Sequence, residues 1–415
     1  MKKQIFILLM TGIFIVASIS PATTSITLDK KNNVIESDNE NTENKGSMRD
    51  TLFDFYVRFL MRIAHKPSLV AGIIYKDEMI WSKAYGYYDL ENRKEATTDI
   101  LYMQASVSKT ICATALMQLY EQGKFNLTDD VNKYLPFDMR NPNYPNIPIT
   151  IEMVLSHHSS MAYDNLFWLC LSYMPGDPDL PSFPYPWLEE YLVPGGSAYS
   201  SSTWSEFKPG EKYLYANVGF SVVAYLVEIL SCQNFNDYCR EHIFDPLEME
   251  NSSFRLKDHD LDNLAVPYEY KNDEYFRHPH YGIIFIYPAI TLRTSIEEYS
   301  HFLIAMMNGG VWNGKRILDE STVDLMFTPP FEPEREDNYG LGWQIKKKSF
   351  GRVQIMHGGA YVGYDLTVVI RPEKETAIMV FANELDAEFH VEASEFIAMQ
   401  LIKKALFFKA SRLAS

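Results

Sequence analysis

Between positions 51 and 64 the residues Leu52, Tyr56, Phe59, Leu60 and Ile63 return every three to four places, the spacing that puts side chains on one helical face. Two strand-like runs follow, 69–76 and 79–88, separated only by Asp77-Glu78, which predicts a hairpin. From Ser106 the apolar positions Val107, Ile111, Ala115, Leu116 and Leu119 keep a helical period until Gly123, a natural C-terminal stop. A further helix is expected after Thr150, with that threonine as its N-cap. Others are expected over 218–230 and 296–307, the latter ending at Asn308-Gly309-Gly310. Strand patterns then dominate, at 342–346, 353–357, 364–370 and 377–382, before a last helix over about 389–408 whose apolar stripe suits packing on a sheet.

A hairpin near the start and strands near the end must share one sheet, with the long helical and irregular stretch of about 124–335 inserted as a lobe. That order predicts an α+β architecture, a central antiparallel sheet flanked by helices, rather than a doubly wound one. Residues 163–207 interleave Tyr163, Phe167, Trp168, Tyr173, Phe183, Tyr185, Trp187 and Tyr191 with Pro and Gly. They read either as a pocket wall or lid, or as a small helical subdomain with its own aromatic core.

Composition changes this picture mainly at the N-terminus. Met1-Lys2-Lys3 precedes an apolar run over 5–19, with small residues Ser20 and Ala22 after it, so 1–22 is expected to be a signal peptide or an N-terminal membrane anchor. Residues 23–50 are rich in Asn, Glu, Asp and Lys and read as a disordered polar linker. One domain is then expected over 51–410, in an exported protein.

With 415 residues and 47% hydrophobic positions, the chain can bury a large core. A formal charge of -16 without a basic stripe excludes nucleic acid as a partner. The four cysteines, Cys112, Cys170, Cys232 and Cys239, are too scattered for a disulfide framework and read mostly as small buried hydrophobes. In an exported context Cys232 and Cys239 could form one bridge. His157, His158, His278 and His280 do not sit in a metal-ligand pattern, so neither metal nor other cofactor is expected.

The candidate chemistry starts at Gln104-Ala105-Ser106-Val107-Ser108-Lys109-Thr110, where a serine and a lysine three residues apart share the face of a helix at its start. A hydroxyl beside an amine could serve as nucleophile and base. Spacing alone does not decide this, because Ser205 and Lys208 repeat it in front of Pro209-Gly210. Ser108 and Thr110 read as hydrogen-bonders at the helix start. Two further short patterns are Tyr215-x-Asn217 and His357-Gly358-Gly359. Y-x-N also occurs at Tyr144, Tyr163 and Tyr270, and H-x-G at His280, so context must select among them.

In order and context the three patterns resemble the three motifs of the serine β-lactamase and penicillin-binding-protein superfamily, most closely its class C branch with esterases and D-amino-acid peptidases. Supporting segments are Ile149 to Ser159, Phe207-Lys208-Pro209-Gly210, Asp245 to Met249, Tyr339 to Trp343 and His357 to Gly363 with Arg371-Pro372; the likeness covers about 52–405. Three positions depart from the family pattern. Ser160 stands where glycine is usual, Pro288 to Thr291 lacks an expected glycine pair, and His357 replaces a common lysine.

The resemblance implies an active site between sheet and lobe. There Ser106 attacks an ester or amide carbonyl of a small molecule or peptide to give an acyl-enzyme. Lys109 and Tyr215 share the acid and base roles, either being the general base, and Asn217 orients Lys109 and substrate. The backbone N–H groups of Ser106 and Ala360 form an oxyanion hole beside Gly358 and Gly359, and His357 hydrogen-bonds Tyr215 or substrate. Asn217 could also cap the helix that follows it, which is compatible with that role. Esterase or D-amino-acid peptidase activity is favoured. The alternatives are a β-lactamase or penicillin-binding carboxypeptidase, and a catalytically silent binding protein on the same fold.

Overall fold

The computed structural model describes residues 40–162, 173–176, 186–332, 337–347, 352–385 and 394–401. The chain divides into a short unit up to Phe59 and a compact unit from Leu60 onwards. Helix α1 runs Glu40–Ile63 and so begins within the stretch read as a polar linker. That stretch has no proline, and its Glu and Lys residues are good helix formers.

The hairpin is present as β1 (Ser68–Tyr75) and β2 (Glu78–Asp89), followed by the short β3 (Lys94–Glu95). The nucleophile-bearing segment forms a 3-10 turn, Ala105–Val107, that continues into α2 (Ser108–Glu121). Next come α3 (Ile151–Leu155), α4 (Asn217–Ser231), the one-turn α5 (Tyr287–Ile290) and α6 (Ile296–Met307). The later strands are β4 (Asp337–Tyr339), β5 (Gln344–Lys347), β6 (Val353–Tyr361), β7 (Tyr364–Arg371) and β8 (Thr376–Ala382).

These strands form one sheet in the order β4-β5-β6-β7-β8-β1-β2-β3. Its neighbours pair antiparallel throughout, and β1 lies beside β8, so the two ends of the chain meet as the hydrophobic pattern required. Strands β1, β7 and β8 are buried along nearly their whole length, which explains why they read as continuous apolar runs rather than alternating ones. Thr150 accepts a hydrogen bond from the Met153 N–H and so starts α3, and Ser295 does the same for α6 through Glu298.

Helix α2 is buried from Ser108 to Leu119, and α4 is buried from Asn217 to Glu228; the two pack together across the lobe. Of the aromatic 163–207 stretch the structure describes a strand at Tyr173–Pro175, paired with Tyr281–Ile283, a helix at Pro186–Leu192 and a 3-10 turn at Ser201–Thr203. Tyr163, Phe167, Trp168, Phe183 and Tyr185 lie outside the described residues, as do Cys170 and the expected signal segment. The last helix is described over 394–401.

The Cys232–Cys239 bridge is not formed. Cys112, Cys232 and Cys239 are free thiols; Cys239 is buried, while Cys232 is exposed as the left-handed C-cap of α4.

The sheet and the turn that carries Ser106 meet closely at Gly359. A Cβ placed there would stand 2.4 Å from the Gln104 carbonyl oxygen, so the turn carrying Ser106 rests directly on β6 at a position only glycine fits. Gly359→Ala is expected to lower stability by about 1–3 kcal/mol through this backbone clash, read as a shift in the urea unfolding midpoint at constant slope.

Candidate active site

Ala105 has a φ of 44°, a left-handed conformation uncommon for a residue with a Cβ, and it turns the chain sharply into the Ser106 position. Ser106 is half-buried, whereas Lys109, one turn on, is fully buried. The Lys109 Nζ donates to Ser106 Oγ at 3.0 Å, to Asn217 Oδ1 at 2.7 Å and to the Ala289 carbonyl at 3.1 Å. One amine thus gathers α2, α4 and α5. Ala216 occupies the N-cap of α4 with extended backbone, and Asn217 is the first helical residue, its side-chain Oδ1 accepting from Lys109. Ser108 and Thr110 serve the local frame, Ser108 Oγ accepting from Leu292 N–H and Thr110 Oγ1 donating to the Val107 carbonyl.

The Lys109 Nζ lies 4.9 Å from the centroid of the Tyr215 ring, within cation–π range. The opposite strand-borne partner is His357, also buried. Its Nδ1 lies 2.7 Å from the Gly358 carbonyl, which can only accept, so Nδ1 carries the proton and Nε2 accepts from the Tyr339 hydroxyl at 2.8 Å. Both ring nitrogens of His357 are thus bonded within the protein, to Gly358 and Tyr339. Burial, and secondarily the nearby Lys109 charge, pushes the His357 pKa down to about 3, so the imidazole is neutral at physiological pH. Burial also raises the Tyr339 phenol well above its ordinary value, which keeps that hydroxyl a donor.

Strand β6 pairs with β5 only as far as Met356, so beyond it one edge is open among the described strands. The two-residue turn Val362-Gly363 makes Tyr361 and Tyr364 the closing pair of the β6–β7 hairpin, with Ala360 opposite Asp365 next to it. By antiparallel alternation the Ala360 N–H then points away from β7, along that open edge. Gly358 and Gly359 precede it on the part of β6 against which the Ser106 turn packs.

The second Ser-x-x-Lys copy folds differently. Ser205 N–H pairs with the Ser160 carbonyl, the Lys208 side chain is exposed, and Gly210 follows at a φ of 82°, so no helix brings the two side chains together. Ser160 itself takes a φ of 69°, the conformation glycine favours, and its hydroxyl is fixed between the Asn141 amide and the Phe207 carbonyl at 2.6 Å each. The departure from the family pattern therefore keeps glycine's geometry.

His158 bonds its Nδ1 to the Ser156 carbonyl and stacks on Phe331, and His157 takes the Ala216 N–H on its Nδ1. Among the described residues no group of three His, Cys, Asp or Glu is arranged to hold a metal ion. Sequence reasoning missed Tyr339 and His157 as neighbours of the site. Both lie in segments already singled out, the Tyr339 to Trp343 strand and the end of α3, but only the fold brings their rings to Tyr215 and His357.

An antiparallel sheet with an inserted helical lobe, and a Ser-Lys pair at a helix start between them, defines a β-lactamase/transpeptidase-like protein. The chain belongs to the Beta-lactamase family, whose family model matches residues 53–401. Among curated proteins it is 22% identical to protein flp of Staphylococcus aureus (strain MW2) over 84% of this chain, and the match spans only 66% of flp. It is 23% identical to penicillin-binding protein 4* of Bacillus subtilis (strain 168), over 77% of this chain and 70% of that protein.

Solved structures with the same fold include an octameric penicillin-binding protein homologue from Pyrococcus abyssi, with TM-score 0.69 and 21% identity, covering 86% of this chain and 77% of that one. A class C β-lactamase aligns with TM-score 0.68 and 17% identity, over 87% of this chain and 97% of that one. A D-amino acid amidase from Ochrobactrum anthropi aligns with TM-score 0.64 and 18% identity, over 87% and 99%.

The neutral His357 has a consequence for acid stability. The unfolded chain binds a proton at this side chain below its ordinary value near 6.5, the folded protein only near 3. Stability is therefore lost as pH falls from 6.5 towards 3, at up to about 1.4 kcal/mol per pH unit from this one group. Urea midpoints at pH 7.0, 5.5 and 4.5 should fall less steeply for His357→Gln than for wild type; parallel slopes would contradict the assignment.

Proposed function

We propose that this chain is an exported serine hydrolase that cleaves an ester or amide through a Ser106 acyl-enzyme, with an ester or a D-amino-acid amide or peptide as the favoured substrate. The observation that carries the reading is the Lys109 amine, held by Asn217 and the Ala289 carbonyl and lying 3.0 Å from the Ser106 hydroxyl. A serine hydroxyl becomes an effective nucleophile when a positioned base takes its proton.

In this mechanism Ser106 Oγ bonds to the carbonyl carbon as its proton enters the network shared by Lys109 and Tyr215. The Ser106 and Ala360 N–H groups stabilise the oxyanion, the Ser106 donor being favoured by its place at a helix start. Collapse breaks the C–O or C–N bond, and the leaving group takes a proton from the same network. Water then adds to the acyl carbon by the reverse proton path, releasing the acid and restoring Ser106.

The substrate preference draws support from His357. A neutral imidazole already bonded to Tyr339 and Gly358 provides no cation for a substrate carboxylate, which weighs against β-lactam or carboxypeptidase chemistry that depends on one. Two structural relatives, a D-amino acid amidase and EstCE1, a hydrolase with promiscuous acyltransferase activity, belong to the same range of chemistry. Export is read from the basic start and apolar run of residues 1–22.

Intact mass after treatment with a fluorophosphonate probe is expected to show one adduct on wild type and none on Ser106→Ala. Wild-type protein that stays unlabelled while a control serine hydrolase labels fully would refute the nucleophile assignment. Lys109→Ala should slow turnover of p-nitrophenyl acetate by about 10²–10⁴-fold, the usual range for losing a positioned proton acceptor. Ranking that ester against a D-alanyl amide and benzylpenicillin by kcat/KM tests the substrate class, and preferential turnover of the penicillin would overturn the stated preference.

A further inference from the structure

We propose that His157 is a positioning residue for Tyr215, holding in place the phenol ring that lies against the Lys109 amine. The inference rests on the acyl-enzyme reading above and extends it to a residue outside the three motifs.

His157 follows α3 with a φ of 63°, a left-handed conformation that a β-substituted residue adopts at a cost. In that conformation its backbone and its side chain both face the loop Tyr213–Ala216. The His157 carbonyl accepts from the Leu214 N–H at 2.7 Å, and its Nδ1 accepts from the Ala216 N–H at 3.2 Å. Tyr215 lies between these two anchored amides, so its backbone is pinned on both sides. The imidazole ring then lies 4.3 Å from the Tyr215 ring, centroid to centroid, at a shallow tilt of 35°. Lys109 Nζ lies 4.9 Å from the same ring.

The choice of histidine needs explaining, because its other nitrogen is poorly placed. Nε2 is buried without a hydrogen-bond partner in the described structure, an arrangement that disfavours a polar ring over an apolar one of similar size. A phenyl ring would fill the space among Tyr213, Phe220 and Tyr339, whose centroids lie 5.8, 5.3 and 4.7 Å away. It would not accept from Ala216. The unpaired Nε2 is thus the consequence of needing an aromatic face for Tyr215 and an acceptor for Ala216 in one side chain. Burial, then the charge of Lys109 and the neighbouring His357 and His158, depresses the His157 pKa, which leaves Nδ1 free to accept.

A double-mutant cycle tests the assignment. His157→Asn tolerates the left-handed backbone and retains an acceptor but removes the ring. With p-nitrophenyl acetate it should lower kcat by about 10²-fold, as expected for a misplaced catalytic group, while KM changes by less than about threefold and thermal unfolding remains cooperative. The double variant with Tyr215→Phe should be no slower than Tyr215→Phe alone, since His157 acts through the phenol. Losses that multiply in the double variant, or an unchanged kcat in folded His157→Asn, would overturn the proposal while leaving the acyl-enzyme reading intact. Should the Asn variant not fold, His157→Gln enters the same cycle with the same criteria. Wild-type turnover that survives Ser106→Ala would instead overturn the acyl-enzyme reading, and this inference with it.

Discussion

A fully buried lysine amine is the constraint on which the rest of this structure depends. Removing an ammonium from water is costly unless hydrogen bonds replace its hydration. Here the replacements come from three separate places: the Ser106 hydroxyl at the head of α2, the Asn217 amide at the head of α4 and the Ala289 carbonyl in α5. None of these is near another in sequence. To satisfy Lys109 the chain must bring α2, α4 and α5 to one point, and that point is where the lobe meets the sheet. The same convergence leaves the Ser106 hydroxyl beside an amine and within reach of solvent, so a structural requirement and a chemical opportunity coincide.

Around this amine the described residues build a polar site in which the neighbouring rings are uncharged. His157, His357 and Tyr339 sit in contact with one another or with Tyr215, all buried, and their hydrogen bonds run to backbone carbonyls, amides and each other. Burial disfavours charge on both imidazoles. The surroundings of Lys109 are therefore neutral and aromatic, an environment that places a phenol against an amine without introducing a competing positive charge. Gly359 allows the sheet to come close enough to complete it, because any side chain there would strike the Gln104 carbonyl.

Much of the framework was legible in the residues. The β1–β2 hairpin, the cap at Thr150, the bounds of α6 and the four C-terminal strands follow from local pattern, because period-2 and period-3.6 spacing and capping chemistry are local properties. The first helix extends further back than its apolar stripe, since helix propensity in a polar segment leaves no periodic trace. The possible bridge between Cys232 and Cys239 is absent for a related reason: proximity in sequence does not set the direction of a side chain, and the left-handed cap exposes Cys232 while Cys239 is buried.

The sequence by itself determined that Ser106 and Lys109 share a helical face, that the chain's two ends join one antiparallel sheet, and that Tyr215, Asn217 and His357 were worth bringing to them. Only the tertiary structure decided which Ser-x-x-Lys copy is a pair, what His357 bonds to, and that the His157 ring packs on the Tyr215 ring. The reason is physical. Helical and strand periods are set by the backbone over a few residues, whereas the partner of a buried polar group is whichever group the packing of distant segments delivers to it. Lys109 finds Asn217 across 108 positions of chain, and no local pattern encodes that distance.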